Sequence, residues 1–504
     1  MKRALFVVVL MIAAAVPTLM IVEGVARRLD GLPVFAWRLP ATSRTPRPSS
    51  RDTADLRHLS GIPLAPGVNL AWYPLDPPPH KPIPVTPAIR ARYEHYRTLD
   101  PDGSFFVWNR VGLQAKLCSS ETAPAYAIYD DFFVFDPPHG SPLPLYRYAS
   151  RIQPPGWFPT NQFGWRGPEV EFNKPPGTIR IVFLGSSKTI DPYGVPFSHI
   201  EFIGEWLTRW LRARNPQLRV EVINTARAGI DENAIAAILR DEVLPLEPDL
   251  VIDDGGNNFA PRLLLPSAAQ ALPRPARASG DQIPWPSDRY SAISQRLHFL
   301  TIKRAHRDGS EPPKPAVTLD WPSDVDELHP DISKSPLPMR VDLLLGYYDE
   351  MRTALEAQGG TLALPSWIFM ARDGLTLDLS RDLTLFNDLN WAYYPLSYAQ
   401  LRRAADFDNR VFRAYAERHH LLFIDAAADW PLDPELFGDA VHMTTPGLRL
   451  EAWKYLQAIV GWLGPRIDSG ALPRRMQHPR DRHPAFPTTD YPLVSRAEFL
   501  KACQ

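Results

Sequence analysis

The residues whose types and spacing are best suited to catalysis lie near the C-terminus, in the sequence Asp439-Ala-Val-His442. An aspartate three residues before a histidine can accept the imidazole N–H and so fix the tautomer of the ring. The other ring nitrogen can then act as a base toward a nucleophile. Gly185-Ser-Ser187 offers such a nucleophile, because an apolar segment there gives way to a polar turn. These residues together predict ester chemistry on a serine hydroxyl.

An alternation of apolar strands and amphipathic helices begins at Ile179, and these elements must position the reactive side chains. Strands are predicted at 179–184, 218–223, 249–253, 361–368 and 421–425, with helices at 341–357, 399–418 and 446–463. Between the first two strands, a helix is predicted to bury residues at i, i+3, i+4, i+7 and i+8, namely Ile203, Trp206, Leu207, Trp210 and Leu211. Five apolar strands with intervening helices predict an α/β fold with a doubly wound parallel sheet. Catalytic groups in such folds lie at the carboxyl ends of the strands, which is where Ser187 falls.

The remaining segments divide the chain further. Residues 31–175 are dense in proline and aromatic residues, which predicts an irregular or small-β accessory region that packs on the main domain. The main domain is predicted at 176–464, and residues 260–338 form an insertion that is too long for a plain loop. The insertion is either a lid, a partner surface or a solvated connection without a role. Residues 465–504 are predicted to form a Pro- and Arg-rich tail.

Residues 1–30 contain an uncharged run from Ala4 to Val22, which follows Lys2 and Arg3. A helix over this run would be roughly 28 Å long, close to the bilayer core of about 30 Å. A cleaved signal peptide and a buried helix of a soluble domain are competing interpretations. The length of the run favours an uncleaved membrane anchor, and the charge bias places the body of the protein outside the cytoplasm, in the periplasm or at the cell surface.

Composition excludes several classes of function. The formal net charge is −1, with 55 Lys and Arg against 56 Asp and Glu, so a nucleic-acid partner is not expected. The two cysteines, Cys118 and Cys503, form neither a disulfide framework nor a metal cluster, and whether they pair stays open. Residues 185–189 lack the spacing of a phosphate loop, and no His/Cys cluster has zinc spacing, so we expect no cofactor and no metal.

Four motifs occur in a fixed order along the chain: Ser187 after the first strand, Gly229 after the second, Asn257 after the third, and Asp439 with His442 before the last helix. This order resembles that of the SGNH hydrolases, also called the GDSL-like esterase/lipase superfamily. The resemblance covers roughly 160–464. It implies a flavodoxin-like three-layer α/β/α fold with a five-stranded parallel sheet. It also implies hydrolysis of esters, often of acetyl groups on carbohydrates.

The resemblance also implies a role for each motif residue. Ser187 would be the nucleophile, His442 the base and Asp439 the residue that orients His442. The oxyanion hole would consist of the backbone N–H groups of Ser187 and Gly229 and the side-chain amide of Asn257. An acylated glycan or a small ester is the implied substrate, while protein partners stay unknown.

The sequence departs from the family pattern at two positions and leaves two functions open. Ser186 and Asn258 stand where the family has aspartates. Ser186 also competes with Ser187 as nucleophile, although the register of the motif favours Ser187. The leading hypothesis is an esterase or acyltransferase, since both share the acyl-enzyme step. The alternative is a non-catalytic glycan-binding or assembly scaffold that retains the fold.

One further segment, Asn161–Glu169, resembles a leader found in a subset of membrane-anchored bacterial members. We interpret it as a turn that docks the N-terminal region and expect no direct contact with substrate.

Overall fold

The computed structural model describes part of the chain. The described residues are 2–29, 34–35, 58–59, 61–84, 87, 133–134, 142–144, 147–148, 150–153, 158–191, 196–228, 230–255, 291–294, 296–297, 323–333, 341–370, 372, 374–375, 398–438 and 441–486. They fall into two compact units. The first combines Met1–Arg47 with Pro273–Ala316, and the second combines Pro48–Leu272 with Val317–Gln504.

The first unit contains helix α1, Lys2–Leu29, whose C-terminal turns contact residues 291–293. The Glu23 carboxylate accepts hydrogen bonds from Ser291 Oγ at 2.8 Å and from Ala292 N at 2.7 Å. Glu23 also forms an ion pair with Arg27. The charged C-terminal end of α1 therefore forms hydrogen bonds with a segment of the same unit.

The predicted membrane anchor is wrong. Across the part of the chain that the structure describes, no helix combines the length and the apolarity that crossing a bilayer requires. The prediction rested on the apolar run Ala4–Val22 and its flanking charges, whereas α1 continues through Glu23, Arg27 and Arg28 and contains Pro17. The extracytoplasmic location and the bilayer as a partner lose their basis with the anchor.

The second unit is built around a parallel sheet. Two short antiparallel strands, β1 (Phe133–Val134) and β2 (Arg147–Tyr148), precede it in the chain. The sheet itself consists of β3 (Thr178–Leu184), β4 (Arg219–Asn224), β5 (Leu250–Asp253), β6 (Thr361–Pro365) and β7 (Leu422–Ile424). All four pairings are parallel, and the spatial order is β4-β3-β5-β6-β7. This is the flavodoxin-like order, and the predicted five-stranded parallel sheet is confirmed.

The helices of this unit lie between the strands of the sheet and after the last strand. They are α2 (Ser187–Ile190), α3 (His199–Arg214), α4 (Glu232–Ile238), α5 (Val341–Glu356), α6 (Tyr398–Arg418) and α7 (Thr445–Asp468). A short π-helix at Leu239–Val243 and a 3-10 helix at Leu244–Leu246 continue α4, and further 3-10 helices lie at Leu70–Trp72 and Pro434–Leu436. The predicted helices after residues 341, 399 and 446 are therefore present, with ends that differ by a few residues.

The sheet buries both of its faces, as alternation along β3 shows. Ile181 and Phe183 lie in one apolar cluster with residues of α3 and α7, whereas Val182 and Leu184 lie in another with residues of α4, α5 and α6. The five apolar residues predicted on α3 are all at most 2% exposed. Helices thus cover both faces, which gives the three-layer arrangement expected for a doubly wound sheet.

Candidate active site

Of the predicted catalytic residues, the structure describes Ser187 and His442. It brings their side chains together. His442 Nε2 lies 2.9 Å from Ser187 Oγ, although 255 positions separate the residues in the chain. Ser187 is 1% exposed and His442 is 6% exposed. At this distance the serine hydroxyl can donate its proton to the imidazole, which is the arrangement an activated nucleophile requires.

Other predicted site residues lie outside the described part of the chain. These are Gly229, Asn257 and Asp439, together with Asn258 at the second departure from the family pattern. The same holds for Cys118, for Cys503 and for most of the insertion at 260–338. The proposed oxyanion hole and the orienting carboxylate therefore stay predictions from the sequence.

Ser187 is placed by a close strand-to-helix turn at the carboxyl end of β3. Gly185 occupies this turn, and a Cβ atom added there would lie 1.9 Å from Thr189 Oγ1. Only glycine fits this approach without a shift of the backbone. Thr189 Oγ1 in turn donates to the carbonyl oxygen of Asp254 at 3.2 Å, which fastens α2 to the end of the neighbouring strand β5.

Backbone hydrogen bonds of neighbouring residues hold His442 in place. Phe437 and Met443 form an antiparallel bridge, and Gly438 N donates to His442 O at 2.8 Å. Thr444 N donates to Leu436 O at 3.0 Å, immediately before α7 begins. The residues on both sides of His442 are therefore tied to residues 436–438 through their backbones.

Arg166 of the leader segment holds the other end of α2. Its guanidinium donates to Ile190 O at 2.7 Å and to Asp191 O at 2.9 Å, and its side chain is fully buried. Asn224 Nδ2, at the end of β4, donates to Thr189 O at 3.0 Å. These donors satisfy the C-terminal carbonyl groups of the short helix that starts with Ser187. The leader segment thus holds the C-terminal end of the short helix that begins with Ser187.

Arg166 also compensates the charge of Glu201, whose side chain is 11% exposed. Burial alone would raise the pKa of Glu201, but the charges of Arg166 and His80 outweigh it and lower that pKa to about 2. The Arg166–Glu201 ion pair measures 3.2 Å. Loss of Arg166 would remove the cation that is paired with Glu201 and the donor to the carbonyl groups at the end of α2.

We therefore expect Arg166→Ala to lower the free energy of unfolding by about 3–5 kcal/mol, because it breaks a buried ion pair. Arg151→Ala is the matched control from the same region: Arg151 pairs with Glu169, and their side chains are 63% and 55% exposed. The control should change stability by at most about 1 kcal/mol. Urea unfolding of both variants measures the difference. Equal effects would show that the buried contacts of Arg166 do not stabilise the fold.

Sequence reasoning missed the supporting residues Arg166, Asn224 and Lys188. The leader pattern was a signal for the first, and a lysine directly after the candidate nucleophile was a signal for the last. Within the described ranges, no group of three or more His, Cys, Asp or Glu side chains is placed to hold a metal ion.

Comparisons with known proteins give structural similarity only. The sequence matches no protein-family model and no curated protein. Among solved structures, the acetyl xylan esterase AlAXEase is similar at 16% identity and a TM-score of 0.29, over 56% of this chain and 100% of that one. An acetylxylan esterase from Geobacillus stearothermophilus is similar at 16% identity and a TM-score of 0.30, over 57% and 96%. An alpha/beta hydrolase from the metagenome of Lake Arreo, Spain, gives 14% identity and a TM-score of 0.29, over 58% and 99%.

Proposed function

We propose that the chain is a serine ester hydrolase of the SGNH type, which removes O-acyl groups, in particular O-acetyl groups, from a carbohydrate. The observation that carries the proposal is the 2.9 Å contact between Ser187 Oγ and His442 Nε2 at the carboxyl edge of the sheet. A non-catalytic scaffold would not need a buried serine within hydrogen-bonding distance of a histidine. The motif order along the chain supports the same assignment.

The proposed reaction passes through an acyl-enzyme. Ser187 Oγ attacks the acyl carbonyl carbon while His442 Nε2 takes the hydroxyl proton. Collapse of the tetrahedral intermediate breaks the ester C–O bond, and the imidazolium returns the proton to the departing sugar oxygen. A water molecule then attacks the acyl-enzyme with His442 again as the base, which releases the carboxylic acid and restores Ser187. A second sugar hydroxyl in place of water would make the same chemistry an acyl transfer.

The residues outside the described ranges have proposed roles in this reaction. Asp439 would accept the N–H of the second imidazole nitrogen of His442 and so hold the tautomer that the base requires. The backbone N–H groups of Ser187 and Gly229 and the amide of Asn257 would donate to the oxyanion. One such amide donor contributes about 3–4 kcal/mol to transition-state stabilisation in comparable sites.

Covalent labelling with a serine-directed fluorophosphonate tests the proposal. We expect the wild-type protein and Ser186→Ala to be labelled and to release acetate from p-nitrophenyl acetate, and Ser187→Ala to do neither. Ser186→Ala is the matched control, because Ser186 is the neighbouring hydroxyl that competes for the assignment. Absence of labelling in folded wild-type protein would favour the scaffold, and labelling that survives Ser187→Ala would move the nucleophile elsewhere.

A further inference from the structure

Lys188 directly follows the candidate nucleophile, and its side chain is turned into the protein interior, where only 2% of it is exposed. Its Nζ atom lies 2.7 Å from Asp254 Oδ1 and also forms an ion pair with Glu451. The ring centroid of Trp367 is 5.2 Å from the same ammonium group. Burial alone would lower the pKa of Lys188, but the charges of Asp254 and Glu451 outweigh it and hold that pKa above its ordinary value. The site beside Ser187 thus contains a permanent buried cation.

The partners of this cation come from two other elements. Asp254 follows the last residue of β5, and Glu451 lies on α7, nine residues after His442. Lys188 itself lies in the turn of helix that Ser187 begins. The ammonium group therefore links the segment that carries the nucleophile to the helix that follows the base.

The carboxylate of Asp254 is itself fixed by neighbours. Tyr455 Oη donates to Asp254 Oδ1 at 2.5 Å, and His199 Nε2 lies 3.5 Å from Asp254 Oδ2. His199 Nδ1 lies 2.5 Å from Asp191 Oδ2 at the other end of α2. Burial lowers the pKa of His199, but Asp191 and Glu451 outweigh it and raise that pKa to about 10, so the imidazole is charged. Asp254 has little freedom to follow a displaced Lys188.

We propose that Lys188 is a positioning residue, which aligns Ser187 Oγ with His442 Nε2 by holding α2 against α7; the inference rests on the proposed function. A buried ion pair is often no more stabilising than apolar side chains of similar volume. Stability alone therefore gives no reason to bury a lysine beside the nucleophile. Its directional contacts fix the separation of two segments whose alignment the reaction requires, and a misplacement of about 1 Å can lower a rate by about 10²-fold.

Lys174 provides a matched control. Its Nζ atom lies 3.0 Å from Asp249 Oδ1, and the two side chains are 1% and 0% exposed, so this pair is as buried as that of Lys188. Asp249 precedes β5 and Asp254 follows it, so the two pairs lie at opposite ends of the same strand. Both lysine-to-methionine variants remove one buried cation, but only one of them acts beside Ser187.

The test compares Lys188→Met with Lys174→Met at a temperature at which circular dichroism shows both to be folded. We expect Lys188→Met to lower kcat for p-nitrophenyl acetate, and the rate of fluorophosphonate labelling, by about 10²-fold while KM stays within about threefold. Lys174→Met should leave kcat within about threefold of wild type. If Lys188→Met does not fold, the double variant Lys188→Met/Glu451→Met, which removes both charges, replaces it in the test, and the expected result is the same. Similar kcat losses at Lys188 and Lys174, or a wild-type kcat in Lys188→Met, would overturn the positioning role.

A second readout separates this inference from the proposed function. The ¹⁵N resonances of the His442 ring, assigned by comparison with His442→Ala, report its hydrogen bond to Ser187 whether or not the protein turns over an ester. A change in Lys188→Met but not in Lys174→Met would support positioning even if wild-type protein neither hydrolyses esters nor is labelled. Unchanged resonances in Lys188→Met would refute positioning even if the proposed function holds.

Discussion

His442→Ala is expected to lower kcat for an acetyl ester by about 10⁴- to 10⁶-fold, because Ser187 would lose the base that takes its proton. The structure gives the reason directly, since His442 Nε2 is 2.9 Å from Ser187 Oγ. Ser187→Ala should cost a similar factor. The double variant should be no slower than either single variant, because two residues that act as a unit do not contribute additively. Steady-state kinetics with p-nitrophenyl acetate measure all three.

His478→Ala is the control for this experiment. His478 contacts Glu247 at 3.1 Å, and its side chain is 71% exposed, so its removal should leave kcat unchanged. A loss in His442→Ala no larger than that in His478→Ala would contradict the catalytic role of His442. If the factor lost in the double variant equals the product of the factors lost in the two single variants, Ser187 and His442 act independently.

The core of the fold was predictable because periodicity reports burial directly. The strand at 179–184 was predicted from a short, mostly apolar run, and it is β3, an interior strand of the sheet that is buried along its whole length. Boundaries were less accurate. The strand predicted to reach Ile368 ends at Pro365, a residue type that has no N–H to donate within a ladder.

The candidate site was predictable only in part. Ser187 and His442 were identified from local motifs, each of which occupies a few consecutive residues. The contacts that support them join distant positions: Lys188 reaches Asp254 and Glu451, and Arg166 reaches the end of α2. No local pattern encodes such contacts, because they arise only when the strands and helices pack.

The wrong prediction of a membrane anchor has a related cause. Hydropathy was judged over Ala4–Val22, whereas the partners of the following residue, Glu23, lie at 291–293, far along the chain. A window of consecutive residues cannot report such a long-range contact.

Asp253 and Glu232 form a pair of buried acids near the same edge of the sheet, and they make stability depend on pH. Burial raises the pKa of Asp253 to about 7, although a hydrogen bond from Gly255 N at 3.0 Å partly opposes the shift. Burial, with the charge of Asp253, raises the pKa of Glu232 well above its ordinary value. Because the folded state holds these protons more tightly than the unfolded chain, their contribution to stability is present below the unfolded pKa of about 4. It is lost as the pH rises through about 7.

Asp253→Asn should therefore stabilise the protein, by about 2–4 kcal/mol near pH 8 and by less than about 1 kcal/mol near pH 4, since each pKa unit corresponds to about 1.4 kcal/mol. The amide keeps an oxygen that can accept the Gly255 N–H and cannot ionise. Urea unfolding at the two pH values measures the effect. Asp468→Asn is the control, because Asp468 is an acid with a 61% exposed side chain, paired with Arg214, and its replacement should change stability by at most about 1 kcal/mol at either pH. A destabilised Asp253→Asn near pH 8, or an equal effect at both pH values, would contradict the raised pKa of Asp253.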